Sequence, residues 1–139
     1  MTIDSIVNGI VIDHIPAGHS MELYRYLQLD KMDCSVAVLQ NVPSEKLGRK
    51  DIIKVDQVFD LDWDIIGYMA PDSTVNIIRD GKKVEKRHLQ LPDQLIGVIR
   101  CKNPRCITTI EQELAPVFKL TDRKKGIYRC LYCEVKASK

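Results

Sequence analysis

The chain has 139 residues, is 45% hydrophobic and carries a formal net charge of +2, which suffices for one good core or two modest ones. No apolar run approaches the roughly 18–20 residues that span a bilayer, and the opening MTIDSIVNGI lacks the basic start of a secretory signal, so a cytoplasmic protein with no membrane partner is expected. The small total hides an asymmetry: residues 1–99 hold 11 Lys+Arg against 15 Asp+Glu, net −4, whereas residues 100–139 hold 10 against 4, net +6.

In chain order, the pattern predicts strand 7–15, helix 18–28, strands 34–40 and 50–56, helix 62–70, and strands 73–79 and 82–87. GIVIDHIP opens the series with β-branched Ile10, Val11, Ile12 and Ile15, the mark of a buried strand. Adjacent strand residues project to opposite faces, so Asp13 can orient His14 as a catalytic or metal-binding pair only if the strand turns there; otherwise the two are a solvated strand end. HSMELYRYLQL suits an amphipathic helix. In CSVAVLQ, Cys34 reads as a strand-core residue. RDGK joins the last two strands through Asp80-Gly81, a strong hairpin signal. The order β-α-β-β-α-β plus one strand is the ferredoxin-like split βαβ pattern.

GRKDIIKVD places Lys50 and Lys54 on one strand face with Ile52, and Ile53 and Val55 on the other. The two lysines stand about 13 Å apart at roughly 3.3 Å per residue, nearer the span of a ribose with its phosphates than of one phosphate. Lys86 is available as a third cation. On these lysines alone a solvated sheet face is the preferred reading.

After the breaker LPDQ both charge and cysteine usage change, which sets a boundary between domains 1–94 and 95–139. CKNPRC and CLYC give C-x4-C, 23 intervening residues, and C-x2-C. Four thiolates so spaced can grip one zinc ion through Cys101, Cys106, Cys130 and Cys133, leaving no position open for water, so the zinc is structural. Arg100, Lys102, Arg105 and Arg129 lie beside the ligands and offset the charge of a tetrathiolate. The competing use of this basic excess, RKKG with Tyr128 and Tyr132, is a nucleic-acid-binding zinc ribbon attached to a ligand-sensing domain. The aromatics follow strand spacing rather than interleaving with the cations, so no nucleic-acid partner is expected. An enzyme is not expected either: there is no convincing nucleophile, open metal site or glycine-rich phosphate loop.

GIVIDHIP, LGRKDIIKV, APDSTVN, CKNPRC and CLYCE, in this order and at these distances, closely resemble the regulatory chain of aspartate carbamoyltransferase over nearly the whole length. The resemblance implies an α+β chain, a ferredoxin-like α/β sandwich followed by a small all-β zinc-ribbon-like domain. It implies a non-catalytic allosteric subunit of pyrimidine biosynthesis that binds the nucleotide effectors ATP and CTP. Such chains pair as homodimers through their nucleotide domains, dock on the catalytic chain through the zinc domain, and bridge catalytic trimers. Carried over by position, Asp13, His14, Lys50, Lys54, Asn76 and Lys86 fall on the nucleotide pocket, with Ile3, Ile6 and Val11 near base and ribose; Asn103, Arg105 and Glu134 fall on the catalytic-chain interface. This sequence departs from the family at Gly81 and Lys83, where an aromatic and an apolar residue are often presented to the base, and at Arg105, where an asparagine is familiar.

Overall fold

The computed structural model describes residues 6–111 and 113–137. The chain divides into two compact units, residues 1–90 and 91–139. Ile3 lies outside the described residues.

Unit 1 is a five-stranded antiparallel sheet with two helices. In chain order it has β1 (Gly9–Pro16), α1 (Ser20–Tyr26), a short 3-10 turn (Leu29–Lys31), β2 (Val36–Ser44), β3 (Gly48–Val55), α2 (Trp63–Met69), β4 (Thr74–Arg79) and β5 (Lys82–His88). The sheet order is β2-β3-β1-β4-β5, with every neighbouring pair antiparallel. Strands β1 and β2 run parallel with β3 between them, the split βαβ of the ferredoxin-like fold, and β5 extends the far edge. One face is the core: Ile10, Ile12, Ile53, Val55 and Val75 are fully buried, together with Leu23 of α1 and Ile66 of α2. Helix α2 is capped by Asp62, whose Oδ1 accepts the Ile65 N–H at 3.2 Å. Gly9 has a packing reason, since a Cβ there would collide with the Val55 carbonyl oxygen.

The β4–β5 hairpin turns on Asp80 and Gly81, both with positive φ (52° and 76°), as an Asp-Gly turn requires. Its tip is tied down by Gly81 N–H to the Val7 carbonyl at 2.8 Å and Asp80 N–H to Asn8 Oδ1 at 3.1 Å. Every residue of β5 is exposed, and its lysines suit an unpaired sheet edge. Cys34 does not join the core: β2 begins at Val36, and Cys34 is only half-buried ahead of it.

Two bulges flank β3. On one side Ile12 pairs with Ile53 and Ile15 with Asp51, so Asp13 and His14 together oppose Ile52. On the other, Leu39 pairs with Ile52 and Val42 with Lys50, so Gln40 and Asn41 oppose Asp51. His14 and Asn41 both take positive φ, 58° and 60°. Asp51 is fully buried between the bulges. Its Oδ1 accepts the Asn41 N–H at 2.9 Å, and its Oδ2 accepts the N–H groups of Gly18 and Ser20 at 3.1 and 3.2 Å. One carboxylate thus satisfies a donor freed by the β2 bulge and two at the entry to α1.

Unit 2 holds β6 (Gln94–Ile96), a one-turn helix α3 (Ile107–Ile110), β7 (Val117–Asp122) and β8 (Ile127–Cys130), with the strands in the antiparallel order β6-β7-β8. Leu95, Phe118, Tyr128, Cys106 and Cys130 form its small core. Residues 91–94, placed before the boundary by the sequence pattern, fall in unit 2 because that is where their bonds go. Tyr128 Oη donates to the Pro92 carbonyl at 2.6 Å, the Leu120 N–H donates to the Asp93 carbonyl at 2.9 Å, and Arg123 reaches both the Leu91 carbonyl and Asp93.

The buried carboxylate makes the stability of unit 1 depend on pH. Burial works against the charged form, but donors from Ser20, Asn41 and Gly18 outweigh it and hold the Asp51 carboxyl below its ordinary value. Its contribution is therefore full above about pH 4, the unfolded-state value, and is lost as pH falls through the lower folded value. Asp51→Ala strands buried donors and is expected to cost about 3 kcal/mol at pH 7; Asp51→Asn, which keeps an acceptor, about 1–2 kcal/mol. Urea unfolding followed by circular dichroism checks both figures, and the gap between parent and Asp51→Asn should close on acidification.

Candidate functional site

The face of the five-stranded sheet opposite the core carries a continuous row of paired residues. Ala37 pairs with Lys54, Lys54 with Val11, Val11 with Asn76, and Asn76 with Lys86, so one level of the sheet crosses all five strands. Cross-strand partners share a face. The row therefore places Lys54 and Lys86 on either side of Val11 and Asn76, four of the residues singled out from the sequence. Asn76 is 6% exposed, and its Oδ1 has no hydrogen-bond partner among the described residues.

The register that brings Lys86 here is not that of a regular hairpin. Arg79 pairs with Lys82 and Ile78 with Lys83, but Ile77 then pairs with Glu85, because Val84 is an extra, bulged residue. Without Val84 in the bulge, Glu85 would stand opposite Asn76 and the row would end in an acid.

One level along the same face lie Asp13, Thr74 and His88, paired in that order. The β1 bulge supplies the turn that a regular strand denies to Asp13 and His14. Their contact is a backbone one: Asp13 Oδ1 accepts the His14 N–H at 2.6 Å, while Lys50 Nζ reaches the same oxygen at 2.9 Å. His14 Nδ1 is buried with no partner among the described residues. Burial would raise the Asp13 carboxyl, but the Lys50 ammonium and the His14 N–H outweigh it, so Asp13 stays ionised well into the acid range. Asp13 and Lys50 therefore form one partly buried ion pair beside the row. Ile6 is buried, and its side chain lies where a Cβ on Gly9 would go. Thr74 and His88 were not singled out from the sequence; only the strand register places Thr74 beside Asp13 and His88 beside Thr74.

In unit 2 the four cysteines converge, with their sulfurs all within 4.8 Å of one another. Two of the separations are 3.5 Å (Cys101–Cys133) and 3.6 Å (Cys106–Cys130), far longer than a disulfide, and all four thiols are free. Four sulfurs bound at about 2.3 Å to a tetrahedral ion would lie about 3.8 Å apart, so the donor set fits such an ion. Each pair sits on its own turn. In the first, Asn103 organises the backbone: its carbonyl accepts the Cys106 N–H and the Thr109 hydroxyl, and its Oδ1 accepts the Arg105 N–H at 3.0 Å. In the second, the Glu134 N–H returns to the Cys130 carbonyl at 2.9 Å, with Glu134 at φ 64°. Arg129 Nη1 caps the Glu134 carbonyl at 3.2 Å.

The thiols show why a cation belongs here. A hydrogen bond to the Thr108 hydroxyl, at 3.1 Å, helps pull Cys106 down to about 6, whereas desolvation pushes Cys101 up to about 12. Without a cation the four cannot all ionise; with one, they can.

Residues 1–90 match the family model "Aspartate carbamoyltransferase regulatory chain, allosteric domain", and residues 93–139 match the model for the metal binding domain of the same regulatory chain. Curated relatives bearing that name cover nearly the whole length. The one from Clostridium tetani is 49% identical over 96% of this chain and 94% of its own. Those from Clostridium acetobutylicum and Bifidobacterium longum are 47% and 43% identical, over 96% and 99% of this chain and 92% and 99% of theirs.

Metal analysis of the purified chain should return one ion per chain. Cys34→Ala should leave the ratio unchanged, and Cys106→Ser or Cys130→Ser should lower it and unfold unit 2, whose small core cannot replace the metal. A folded unit 2 with a ratio near zero would remove the metal centre.

Proposed function

The chain belongs to the aspartate carbamoyltransferase regulatory-chain family, and from that premise we propose that it is a cytoplasmic allosteric subunit that binds ATP and CTP on the open sheet face of unit 1. Non-catalytic status comes with the family. In this reading zinc occupies the Cys101, Cys106, Cys130 and Cys133 cluster and unit 2 docks on the catalytic chain. Regulatory chains pair through unit 1, so that dimers bridge catalytic trimers. The observation that carries the nucleotide reading is the row Lys54–Val11–Asn76–Lys86, two cations flanking an apolar residue and an amide whose buried oxygen lacks a partner.

Each side chain then has a role set by its chemistry. Lys54 and Lys86 are point charges for phosphate oxygens and impose no bidentate geometry. Asn76 offers both a donor and an acceptor. Asp13 accepts from a ribose hydroxyl and holds Lys50 in place, and it repels phosphate, which puts it at the sugar end. His14, on the bulge, adds a donor toward the sugar-phosphate. Val11 and Ile6, with Ile3 ahead of the described residues, supply apolar surface for base and ribose. Gly81 and Lys83 replace the aromatic and apolar contacts familiar at the base, so base selectivity here rests on other contacts. Asn103, Arg105 and Glu134 lie on or beside the metal turns, where metal binding and docking are physically the same event. Zinc suits the cluster because four soft thiolates at tetrahedral spacing select it over hard divalent ions.

An effector acts on the partner's turnover only through its different affinity for two global states, so binding and regulation are measured separately. Lys54→Ala or Lys86→Ala is expected to weaken triphosphate binding about ten- to a hundredfold, since charge-assisted hydrogen bonds are worth about 1.5–3 kcal/mol. Asp13→Ala should lose less, because it also relieves repulsion, and the loss should shrink from mono- to triphosphate. Deleting Val84 should leave binding nearly unchanged, because removing the extra residue keeps Glu85 opposite Ile77 and Lys86 opposite Asn76 in a regular hairpin. Calorimetry with mono-, di- and triphosphates checks the series; unchanged triphosphate affinity in both lysine variants refutes the pocket. Removing zinc with a mercurial or strong chelator should release the chain from its catalytic partner while unit 1 keeps most of its secondary structure. A complex that survives zinc loss overturns unit 2 as the docking module.

A further inference from the structure

The small sheet of unit 2 has a second face that neither the metal nor the core uses. Gln94 pairs with Lys119, Lys119 pairs with Arg129, and Arg129 bridges to Lys136, so these residues line up side by side across one level of the sheet. All four are exposed, while the opposite face holds the buried Leu95, Phe118, Tyr128 and Cys130.

Three adjacent cations in one cross-strand row repel one another, a cost that a sheet normally avoids by alternating charge. No carboxylate among the described residues lies within ion-pair distance of any of them. Arg129 is held by the Glu134 carbonyl, which fixes its direction without neutralising it. Beside the row are exposed apolar side chains, Ile96 at 63% and Leu131 at 50%. Lys119, Thr121, Arg129 and Leu131 also line a shallow recess, with Glu134 as the only acid among its lining residues. Uncompensated charge, apolar flanks and a recess together describe an interface centre rather than a solvated surface.

We propose that this sheet face, Lys119, Arg129 and Lys136 with Ile96 and Leu131, docks on an acidic, partly apolar patch of the catalytic chain, as a contact additional to the cysteine turns. The inference rests on the regulatory-subunit reading and names a second surface through which unit 2 engages its partner. A nucleic-acid occupant fits less well, because the row offers no aromatic platform for bases: Tyr128 is buried on the other face and Tyr132 sits on the metal turn. Charge complementarity of this kind acts on association rate and on selection of the right partner, and its strength falls with salt.

The test compares two double reversals with the same net charge change in the zinc-loaded full chain. Lys119→Glu/Lys136→Glu alters the row and spares Arg129, which supports the metal turn. Lys124→Glu/Lys125→Glu alters the β7–β8 turn. Binding to the catalytic chain is measured at low and high salt, with metal content confirmed for each variant. The first double should weaken binding about tenfold or more at low salt and flatten the salt dependence; the second should stay within about twofold of the parent. The milder Lys119→Gln/Lys136→Gln should lose about three- to fivefold and guards against misfolding of the reversal. Equal losses in both reversals, or no loss in the first, overturn this contact alone. A parent chain that does not bind the catalytic chain overturns the functional reading and this contact with it. Binding of a single-stranded oligonucleotide that the first double abolishes, with catalytic-chain binding intact, reassigns the face to nucleic acid.

Discussion

The buried carboxylate of Asp51 is the constraint on which the candidate site is built. It sits in the middle of β3 with a bulge on each side, and its oxygens take up donors from the β2 bulge and from the turn into α1. A buried charge is tolerable only when its lone pairs are fully engaged, so the chain around Asp51 has little freedom. The turn after β1 is held by that network, and β1 reaches it through the Asp13-His14 bulge. The same bulge lets Ile12 and Ile15, three residues apart, both face the core. Lys50, next to Asp51 and on the opposite face, is thereby delivered to Asp13. The two carboxylates have opposite surroundings: Asp51 is fully buried among donors of its own chain, whereas Asp13 is partly exposed beside Lys50.

Unit 2 is held together by different physics. Its core of a few residues is too small to offset the ordering of almost fifty, and two of its buried side chains are themselves cysteines. Folding and metal binding are then one equilibrium, and the free energy of the second supplies the first. That dependence also makes the surface of unit 2 reliable, since the cysteine turns and the outer sheet face exist in one arrangement whenever the metal is bound. Preorganisation lowers the cost of association, which would favour the docking proposed for unit 2.

The cysteine spacing, the Asp80-Gly81 turn, the alternation of Ile53 and Val55 with Lys54, and the strand-helix order were all legible in the sequence, because each rests on local chemistry or a strict period. The family resemblance carried the functional assignment, which neither charge nor periodicity could name. What the sequence concealed was register. Val84 reads as an ordinary strand residue, yet it is the one that slips Glu85 away from Asn76 and brings Lys86 in. A bulge leaves no fixed residue signature, because it is decided by which pairing best satisfies two strands at once, and a one-residue slip reverses every side chain beyond it. The same limit hid the pairing of Asp13 with Thr74 and of Thr74 with His88, and the cation row of unit 2, which joins residues as distant as Gln94 and Lys136. Asp51 was passed over for a related reason: a single acid in GRKD looks like surface until three backbone donors are found around it. Cys34 failed in the other direction, since an apolar run does not show at which residue pairing begins.

The boundary between the units follows from the same accounting of hydrogen bonds. Leu89 belongs to unit 1, where its N–H donates to the Ser73 carbonyl at 2.9 Å and its own carbonyl accepts the Asp72 N–H at 3.0 Å. Leu91, Pro92 and Asp93 belong to unit 2 through Arg123, Tyr128 and Leu120. Only Gln90 stands between the two anchored segments. Pro92 further restricts Leu91 to extended backbone. The boundary is therefore set by where each backbone group finds its partner, and the change in charge and cysteine usage that marks it in the sequence comes a few residues later because those residues follow the first strand of unit 2.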